Sequence, residues 1–310
     1  MRITIVIPCY RSENTLEKVV KEARSEILKR PGNEYQFILV NDCSPDRTFD
    51  VITKLCEEDK NIIGIDLSRN YGQNNARHAA VPYITGDVAV CMDDDGQHPA
   101  DQIYTLVDKI NEGYDLVYAK FSTKKASIFR RIVSKGNTMI LELIGAQMKG
   151  IINSPFLAWS QFSIERLREY HSPFPSPGAY LMKCTQRVVN VDVDQRERMD
   201  GHSRYTISKL VTLWLTGVTN FSAIPLRLAL VFSAISMLAC LGCIITAIVL
   251  GVMGSALTMW FVTFAIICNF FGILFFLLTL MGEYIGKIYL TISKQPARVV
   301  RKILNADTKS

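Results

Sequence analysis

The chain has 310 residues, 49% of them hydrophobic, and a formal net charge of +6 at pH 7. The charge is modest and no basic stripe with interleaved aromatic residues occurs, so the sequence argues against a nucleic-acid partner. Residues 228–282 contain no Lys, Arg, Asp, Glu or His, which excludes a single water-soluble domain. We therefore expect a soluble part followed by a membrane part.

The first 120 residues alternate between strand patterns and helix patterns. Strands are predicted at 3–7, 37–40, 62–67, 88–92 and 116–119. Helices are predicted at 12–30, from 46 or 48 to 59, at 74–83 and at 99–111. Strands that alternate with helices indicate an α/β protein, with a mostly parallel sheet and helices on both of its faces.

Two later stretches, 128–148 and 205–221, have long helical patterns with one apolar face and flanking basic residues. Such helices lie either in the membrane interface or against the core of a soluble domain, and the pattern leaves both alternatives open. Proximity to the first apolar span favours the interfacial position for the second stretch.

The uncharged window is long enough for two transmembrane helices, because one span needs about 20 apolar residues. We predict spans at 228–252 and 257–281, joined by a short turn that begins near Gly251. Basic residues flank the pair and the turn has none, so both termini are expected in the cytoplasm of a multi-pass inner (plasma) membrane protein. Gly242 and Gly251 offer close-contact points at which such hairpins associate into a homo-oligomer.

The most informative segment is 88–99, in which an apolar run ends in Asp93, Asp94 and Asp95. Three adjacent carboxylates repel one another, so we expect a cation between them. A hard divalent ion, Mg²⁺ or Mn²⁺, binds one or two carboxylates together with substrate phosphates. Open α/β sheets bind ligands at the carboxyl ends of their strands, which is where these acids stand. The alternative interpretation is a solvated acidic turn before a helix.

The other predicted strands also end in polar residues that can reach the same edge. These residues are Tyr10, Glu13, Asn41, Asp42, Asp46, Ser68, Arg69 and Asn70. An aromatic ring to stack on a base, carboxylates to bind ribose and base, and a metal for the pyrophosphate together make a nucleotide-sized site. No Gly-x-Gly-x-x-Gly follows the first strand and no Gly-Lys-Ser/Thr loop occurs, which argues against dinucleotide and P-loop sites.

Four motifs resemble those of family 2 glycosyltransferases of the GT-A fold. They are Ile-Val-Ile-Pro-Cys-Tyr-Arg-Ser-Glu (5–13), Val-Asn-Asp-Cys-Ser-Pro-Asp-Arg-Thr (40–48), Leu-Ser-Arg-Asn-Tyr-Gly (67–72) and Met-Asp-Asp-Asp-Gly-Gln-His-Pro (92–99). Three more, at 198–205, 220–227 and 282–289, are similar to the polyprenyl-phosphate branch, which includes dolichyl-phosphate mannose synthases and bacterial undecaprenyl-phosphate glucosyltransferases.

The resemblance implies a Rossmann-like GT-A sheet followed by interfacial helices and a C-terminal two-helix transmembrane hairpin. The corresponding divisions are a nucleotide-sugar-binding core at 1–127, an acceptor-side region at 128–224, the two spans at 225–282 and a basic cytoplasmic tail at 283–310. It also implies metal-dependent, inverting transfer of a sugar from a nucleotide-sugar to undecaprenyl phosphate at the cytoplasmic face. A UDP-sugar is the favoured donor.

The resemblance assigns roles residue by residue. The implied nucleotide contacts are Pro8, Tyr10, Glu13, Asp42, Asp93 and Asp94. The implied metal ligands are Asp93, Asp95 and Gln97. The implied phosphate-binding residues are Arg130, Arg198, Ser203 and Arg204, and the implied catalytic residues are Asp95, Arg130 and Arg198.

The chain departs from the family pattern at three positions. Ser154 stands where a catalytic aspartate is often proposed, Lys120 stands near a common arginine, and Gly96 replaces a common apolar residue. A phosphomonoester nucleophile has a second pKa near 6 and is already mostly ionised at neutral pH, so it needs no strong base. Gly96 could leave room for a different sugar.

Two alternative functions stay open at this point. One is a transferase that uses the hydroxyl of a lipid-linked saccharide as acceptor, and the absent aspartate argues against it. The other is a nucleotide-binding membrane scaffold without turnover, and the joint presence of the acidic cluster and the basic residues argues against that.

Overall fold

The computed structural model describes residues 1–121, 148–194, 256–292 and 296–306, with short helical stretches between 235 and 252. The chain divides into two compact units. We call them the sheet unit (Met1–Thr206 with Gln295–Ser310) and the apolar unit (Ile207–Lys294).

An eight-stranded sheet organises the sheet unit, with strand order β7-β5-β6-β4-β1-β2-β3-β8. The strands are β1 (Arg2–Cys9), β2 (Glu34–Asn41), β3 (Ile62–Leu67), β4 (Val88–Cys91), β5 (Leu116–Phe121), β6 (Leu157–Trp159), β7 (Val188–Val193) and β8 (Val300–Leu304). The pairs β1–β2, β1–β4, β2–β3 and β5–β7 are parallel, and β3–β8, β4–β6 and β5–β6 are antiparallel. The predicted α/β class and mostly parallel sheet are confirmed.

The first four helices follow the predicted order. The helices are α1 (Leu16–Leu28), α2 (Thr48–Glu58), α3 (Gln73–Ala80), α4 (Ile103–Asn111), α5 (Gln161–Arg168), α6 (Pro177–Cys184) and α7 (Ala256–Ile292). Helices α5 and α6 were not predicted from the sequence. The helix predicted from residue 12 begins later, because the carbonyl of Ser12 accepts N–H groups in a preceding turn. The helix predicted to residue 83 tightens into a 3₁₀ turn over Val81–Tyr83, where Pro82 lacks an N–H.

Both faces of the sheet are covered. Ile5 and Ile7 of β1 point into one core with α1, α2 and α4, while Val6 points into a second core with α3, α5 and α6. All three side chains are fully buried, and each such burial contributes about 2 kcal/mol. Burial on both faces explains why the strands read as continuous apolar runs.

Strand β8 was not predicted. Sequence analysis assigned residues 283–310 to a basic tail, but Val300–Leu304 pairs antiparallel with β3, with Ile65 opposite Ile303. Arg301 and Lys302 are exposed, and Ile303 packs against the core. Cations on a short outer strand discourage pairing with other chains, so the basic composition fits an edge strand as well as a tail.

Helix α7 dominates the described part of the apolar unit. It has 37 residues, and Val262–Gly286 has a mean hydropathy of 2.5, long and apolar enough to cross a membrane by length and composition. Large side chains such as Trp260 and Phe264 are about 70% exposed. In the predicted span at 228–252, 13 of the 25 residues are described, and all of these are helical. The two predicted interfacial helices, at 128–148 and 205–221, lie outside the described residues except for Met148.

Candidate functional site

The carboxyl ends of four adjacent parallel strands, β4, β1, β2 and β3, lie side by side in the sheet. The loops that leave them therefore contact one another along one edge. The predicted nucleotide contacts and the acidic cluster all belong to these loops or to the last residues of the strands. We call this edge the donor edge.

Asp94 links the loop after β4 to the loop after β1. Its Oδ2 accepts the backbone N–H of Tyr10 at 2.9 Å, and its carbonyl accepts the hydroxyl of Thr15 at 2.7 Å. Burial raises the pKa of Asp94 to about 6, although the bond from Tyr10 opposes the shift. Tyr10 is 43% exposed at the donor edge, where a planar base could stack on its ring.

Glu13 and Asp46 join the loops after β1 and β2. Oε2 of Glu13 accepts the backbone N–H of Arg47 at 2.9 Å, and Oδ1 of Asp46 accepts the hydroxyl of Thr48 at 2.6 Å. Burial opposes ionisation of Asp46, but hydrogen bonds from Ser44 and Thr48 together lower its pKa. These bonds fix the loop that carries Glu13.

Asp42 holds the loop that leads into α3. Its Oδ1 and Oδ2 accept the backbone N–H groups of Tyr71 and Gly72 at 2.7 and 2.8 Å. The side chain lies at the end of β2 and is buried, and burial raises its pKa against the effect of the two bonds. The residue predicted to contact the nucleotide therefore also positions the neighbouring loop.

Asp93 is held from α3. Nη2 of Arg77 lies 3.2 Å from Oδ1 of Asp93 and 3.2 Å from the carbonyl oxygen of Pro155. The amide of Gln73 donates to the same carboxylate oxygen. Arg77 is 6% exposed and Asp93 is half-buried, so the negative charge of Asp93 is compensated by a cation that is almost completely removed from water.

His98 holds the backbone of the acidic cluster. Its Nδ1 accepts the N–H of Asp93 at 2.8 Å, and its ring is stacked between Phe156 and Phe121 with centroid distances of 5.0 and 5.6 Å. Burial lowers the pKa of His98, and this effect exceeds the increase that the nearby carboxylates cause. A neutral ring keeps Nδ1 available as the acceptor for Asp93.

Asp95 and Gln97 stand on either side of a tight turn. Oδ1 of Asp95 accepts the N–H of Gln97 at 3.0 Å, and Gly96 between them has φ +73°, a conformation that favours glycine. Asp93 and Asp95 thus both belong to the loop that follows β4. The positive φ of residue 96 favours glycine over an apolar residue with a side chain.

A divalent ion fits this donor set only together with a substrate. Among residues that the structure describes, no three His, Cys, Asp or Glu side chains form a metal site of their own. Mg²⁺ commonly binds one or two carboxylates and completes its shell with substrate phosphates and water. Asp93 and Asp95, both in the loop after β4, supply the two carboxylates that this requires.

Ser154 lies beside the acidic cluster. It is 9% exposed, its hydroxyl oxygen accepts the N–H of Phe156 at 3.2 Å, and the next carbonyl, that of Pro155, contacts Arg77. The position that departs from the family pattern is therefore joined to Asp93 through one arginine. Lys120, the other departure, pairs with Asp192 at 3.3 Å.

The structure thus brings together most of the predicted site. Residues at the donor edge are Pro8, Tyr10, Glu13, Asp42, Asp93, Asp94, Asp95 and Gln97. The predicted phosphate-binding residues Arg130, Arg198, Ser203 and Arg204 lie outside the described residues.

Three side chains at this edge were not singled out from the sequence: Gln73, Arg77 and His98. A signal for Arg77 was present. It stands in a helix beside the small residues Ala76, Ala79 and Ala80, which mark a buried face, and a buried arginine requires an acidic partner. The sequence did not indicate which acid that is.

Comparison with known proteins agrees with the family that the sequence motifs resemble. Residues 4–183 match the family described as Glycosyl transferase family 2. A relative from Photorhabdus laumondii, named undecaprenyl-phosphate 4-deoxy-4-formamido-L-arabinose transferase, is 30% identical over 98% of this chain and 94% of its own. A relative of the same name from Proteus mirabilis is 31% identical over 98% of this chain and 94% of its own.

Solved structures support the fold. The glucosyl-3-phosphoglycerate synthase of Mycobacterium tuberculosis, in complex with phosphoglyceric acid, is similar with a TM-score of 0.51 at 18% identity, over 71% of this chain and 78% of that one. The same enzyme in complex with Mn²⁺ and UDP-glucose gives a TM-score of 0.51 at 16% identity, over 70% and 76% of the two chains. At this identity the likeness concerns the fold alone. It confirms the GT-A architecture expected from the motifs.

Proposed function

The chain belongs to glycosyltransferase family 2, and from that premise we propose that it moves a sugar from a nucleotide-sugar to a polyprenyl phosphate at the membrane surface. The observation that carries the proposal is the length of the match. The relatives named undecaprenyl-phosphate transferases align with 98% of the chain, so the alignment includes most of the apolar helix as well as the sheet unit.

The donor edge supports a nucleotide-sugar as the first substrate. Tyr10 offers an exposed ring for a base, and Pro8, Glu13 and Asp42 border the same loops. Asp93 and Asp94 complete the proposed nucleotide contacts. A UDP-sugar is favoured, in keeping with the UDP-glucose bound by the structurally similar synthase.

A divalent ion, Mg²⁺ or Mn²⁺, is proposed to bind Asp93, Asp95 and Gln97. When bound, it supplies compensation for the negative charge of the departing nucleoside diphosphate. Arg77 compensates part of the charge of Asp93, so Asp93 is expected to share its carboxylate between Arg77 and the ion.

The polyprenyl phosphate is proposed to attack the sugar carbon directly, with inversion. Its phosphate oxygen is mostly ionised at neutral pH, so the residues need only hold two anionic substrates together and stabilise the developing charge. Arg130 and Arg198 are the proposed catalytic cations, with Ser203 and Arg204 beside them as phosphate ligands. Ser154 fits this chemistry, since it cannot serve as the carboxylate base that a hydroxyl acceptor would require.

The proposal places the sheet unit at the cytoplasmic face of the inner membrane. It includes two membrane spans with the N- and C-termini in the cytoplasm. It also includes a homo-oligomer formed by association of the membrane hairpins. Helix α7 is the part of this arrangement that has support in length and composition. The divisions at 1–127, 128–224, 225–282 and 283–310 remain part of the proposal.

One assay tests the function. Membranes containing the full chain are incubated with a panel of nucleotide-sugars, undecaprenyl phosphate and Mg²⁺ or Mn²⁺, and lipid extracts are examined for a glycolipid that mild acid cleaves. A product with one phosphate and one sugar is expected, and EDTA should abolish it. A lipid-linked disaccharide formed only from a saccharide acceptor would contradict the proposal. Nucleotide binding without any product would also contradict it.

A further inference from the structure

The segment 296–306, which we call the C-terminal clamp, returns to the sheet unit after the apolar helix. Its strand β8 pairs with β3, and the contacts continue beyond the strand. The N–H of Ser68 donates to the carbonyl of Val299 at 2.9 Å, and the N–H of Val299 donates to the hydroxyl of Tyr71 at 3.1 Å. Arg301 donates to the carbonyl of Ser68 at 3.2 Å. The clamp thus holds the loop between β3 and α3 from outside.

The far end of the clamp is fixed by one side chain. The amide nitrogen of Asn305 lies 2.5 Å from the carbonyl oxygen of Cys56, 3.0 Å from that of Ile62 and 3.3 Å from that of Asp59. These carbonyls belong to the end of α2 and the start of β3. The clamp is therefore anchored on both sides of the residues that contact the loop.

Arg298 is the clamp residue that contacts α3. Its Nη1 donates to Nδ1 of His78 at 2.7 Å, and its Nη2 donates to the carbonyl of His78 at 3.1 Å. A cation in the last turn of a helix also interacts favourably with the partial negative charge at that end. Nε2 of His78 lies 3.3 Å from the carbonyl of Leu167, so the imidazole bridges the clamp and α5.

The helix that Arg298 holds is the one that carries the contacts to the acidic cluster. Arg77 precedes His78 directly, and it contacts Asp93 and Pro155, while Gln73 at the start of the helix contacts Asp93 as well. The loop before α3 provides the two N–H groups bound by Asp42. A displacement of α3 would consequently move residues at both Asp42 and Asp93.

We infer that Arg298 is a positioning residue for the donor site, holding α3 and its preceding loop so that Asp42 and Asp93 keep the geometry that a nucleotide-sugar requires. The inference rests on the proposed function. The donor site then depends on a segment that begins only four residues after the end of α7 at Ile292. Neither the clamp nor Arg298 was singled out by the sequence motifs.

The test compares Arg298→Ala with Arg298→Lys and with the control Arg30→Ala in the full chain. Arg30 also loses two hydrogen bonds on substitution, at 2.6 and 2.8 Å to Asp108, but it follows α1 and does not contact α3. The Kd for UDP with Mn²⁺, the KM values for donor and acceptor, and the melting temperature are measured for each variant.

Arg298→Ala should raise the Kd for UDP and the donor KM about fivefold or more, and leave the acceptor KM unchanged. Arg298→Lys should recover part of the loss, and Arg30→Ala should not change donor affinity at a comparable melting temperature. Unchanged donor affinity in Arg298→Ala would overturn the inference, and so would an equal effect of Arg30→Ala.

A second variant keeps the inference testable if Arg298→Ala fails to fold. Arg298→Gln removes the positive charge and leaves one donor nitrogen in place of the two that contact His78, and it should weaken UDP binding in the same direction. Unaltered UDP binding in a folded Arg298→Gln protein would then overturn the inference. A wild-type protein that binds UDP but transfers no sugar would refute the proposed function, whereas UDP affinity would still decide the role of the clamp.

Discussion

One guanidinium nitrogen of Arg77 joins Asp93 to the segment that contains Ser154. It lies 3.2 Å from the Asp93 carboxylate and 3.2 Å from the carbonyl of Pro155. Because the Arg77 side chain is only 7% exposed, its charge depends on Asp93 for compensation. Position 154 has a serine in place of an aspartate, and the Arg77 cation contacts the carbonyl of the next residue, Pro155.

Substitution of Arg77 should expose this dependence. Arg77→Met is expected to lower the free energy of unfolding by about 2 kcal/mol, because it removes a hydrogen-bonded partner from a half-buried carboxylate. The double variant Arg77→Met with Asp93→Asn should recover part of that loss, since the uncompensated charge is gone. Denaturant unfolding of the four proteins in detergent measures the coupling. Strictly additive losses would show that the two side chains do not stabilise each other.

Asp95 should be essential for transfer. Asp95→Ala is expected to abolish product formation and to remove the enhancement of UDP binding by Mn²⁺, because it deletes one of the carboxylates proposed as metal ligands. Asp101→Ala is the matched control, since this exposed carboxylate lies in the 3₁₀ turn Ala100–Gln102, which follows the acidic cluster. Activity retained by Asp95→Ala, with its Mn²⁺ dependence intact, would refute the assignment.

Ser154 should be dispensable for the chemistry. Ser154→Ala removes only the hydroxyl that accepts the N–H of Phe156, and we expect kcat to stay within about threefold of wild type. A general base in this position would instead contribute about 10²- to 10⁴-fold to the rate. Single-turnover rates with saturating donor and acceptor distinguish the two values. A loss of 100-fold or more in a folded protein would mean that Ser154 takes part in the reaction.

His78 should make the sheet unit less stable in mild acid. Burial, followed by the charge of Arg298 and then that of His171, lowers the pKa of His78 to about 4, whereas an unfolded histidine titrates near pH 6.5. As the pH falls, the unfolded chain binds the proton first, so the stabilisation is complete above about pH 6.5 and is lost toward pH 4. The loss at pH 5 is about 2 kcal/mol.

The variant His78→Gln isolates this effect, because glutamine can accept from Arg298 and donate to the carbonyl of Leu167 without titrating. The difference in unfolding free energy between pH 7 and pH 5 should be smaller in this variant than in wild type. Asp94 acts in the opposite direction, since its raised pKa favours the folded state in acid, but it is common to both proteins. Equal pH dependence would exclude His78 as the cause.

The strands that position the site could be predicted from the sequence because their signals are local. Residues 62–67 are all buried and are apolar except for Asp66, and the structure begins and ends β3 at the same two residues as predicted. The acidic cluster could be placed at a strand end for the same reason. Strand β8 could not be predicted, because its exposed Arg301 and Lys302 resemble a polar tail and its partner lies far away in the chain.

The contacts of the site were harder to predict than its location. Asp42 and Asp94 were recognised as polar groups near a nucleotide, but their bonds to loop N–H groups depend on backbone geometry that spacing does not encode. Arg77 was missed because its partner Asp93 lies 16 residues away on another element. The ligand roles of both aspartates stay predictions.

The position of β8 in the chain also has a consequence for biogenesis. Arg301 contacts Ser68 across 233 residues, and the ribosome synthesises α7 before it reaches the strand that covers β3. Until then the nascent sheet has an unpaired outer edge, which is a hazard for aggregation. The sheet unit therefore receives its last strand only after the apolar helix has been translated.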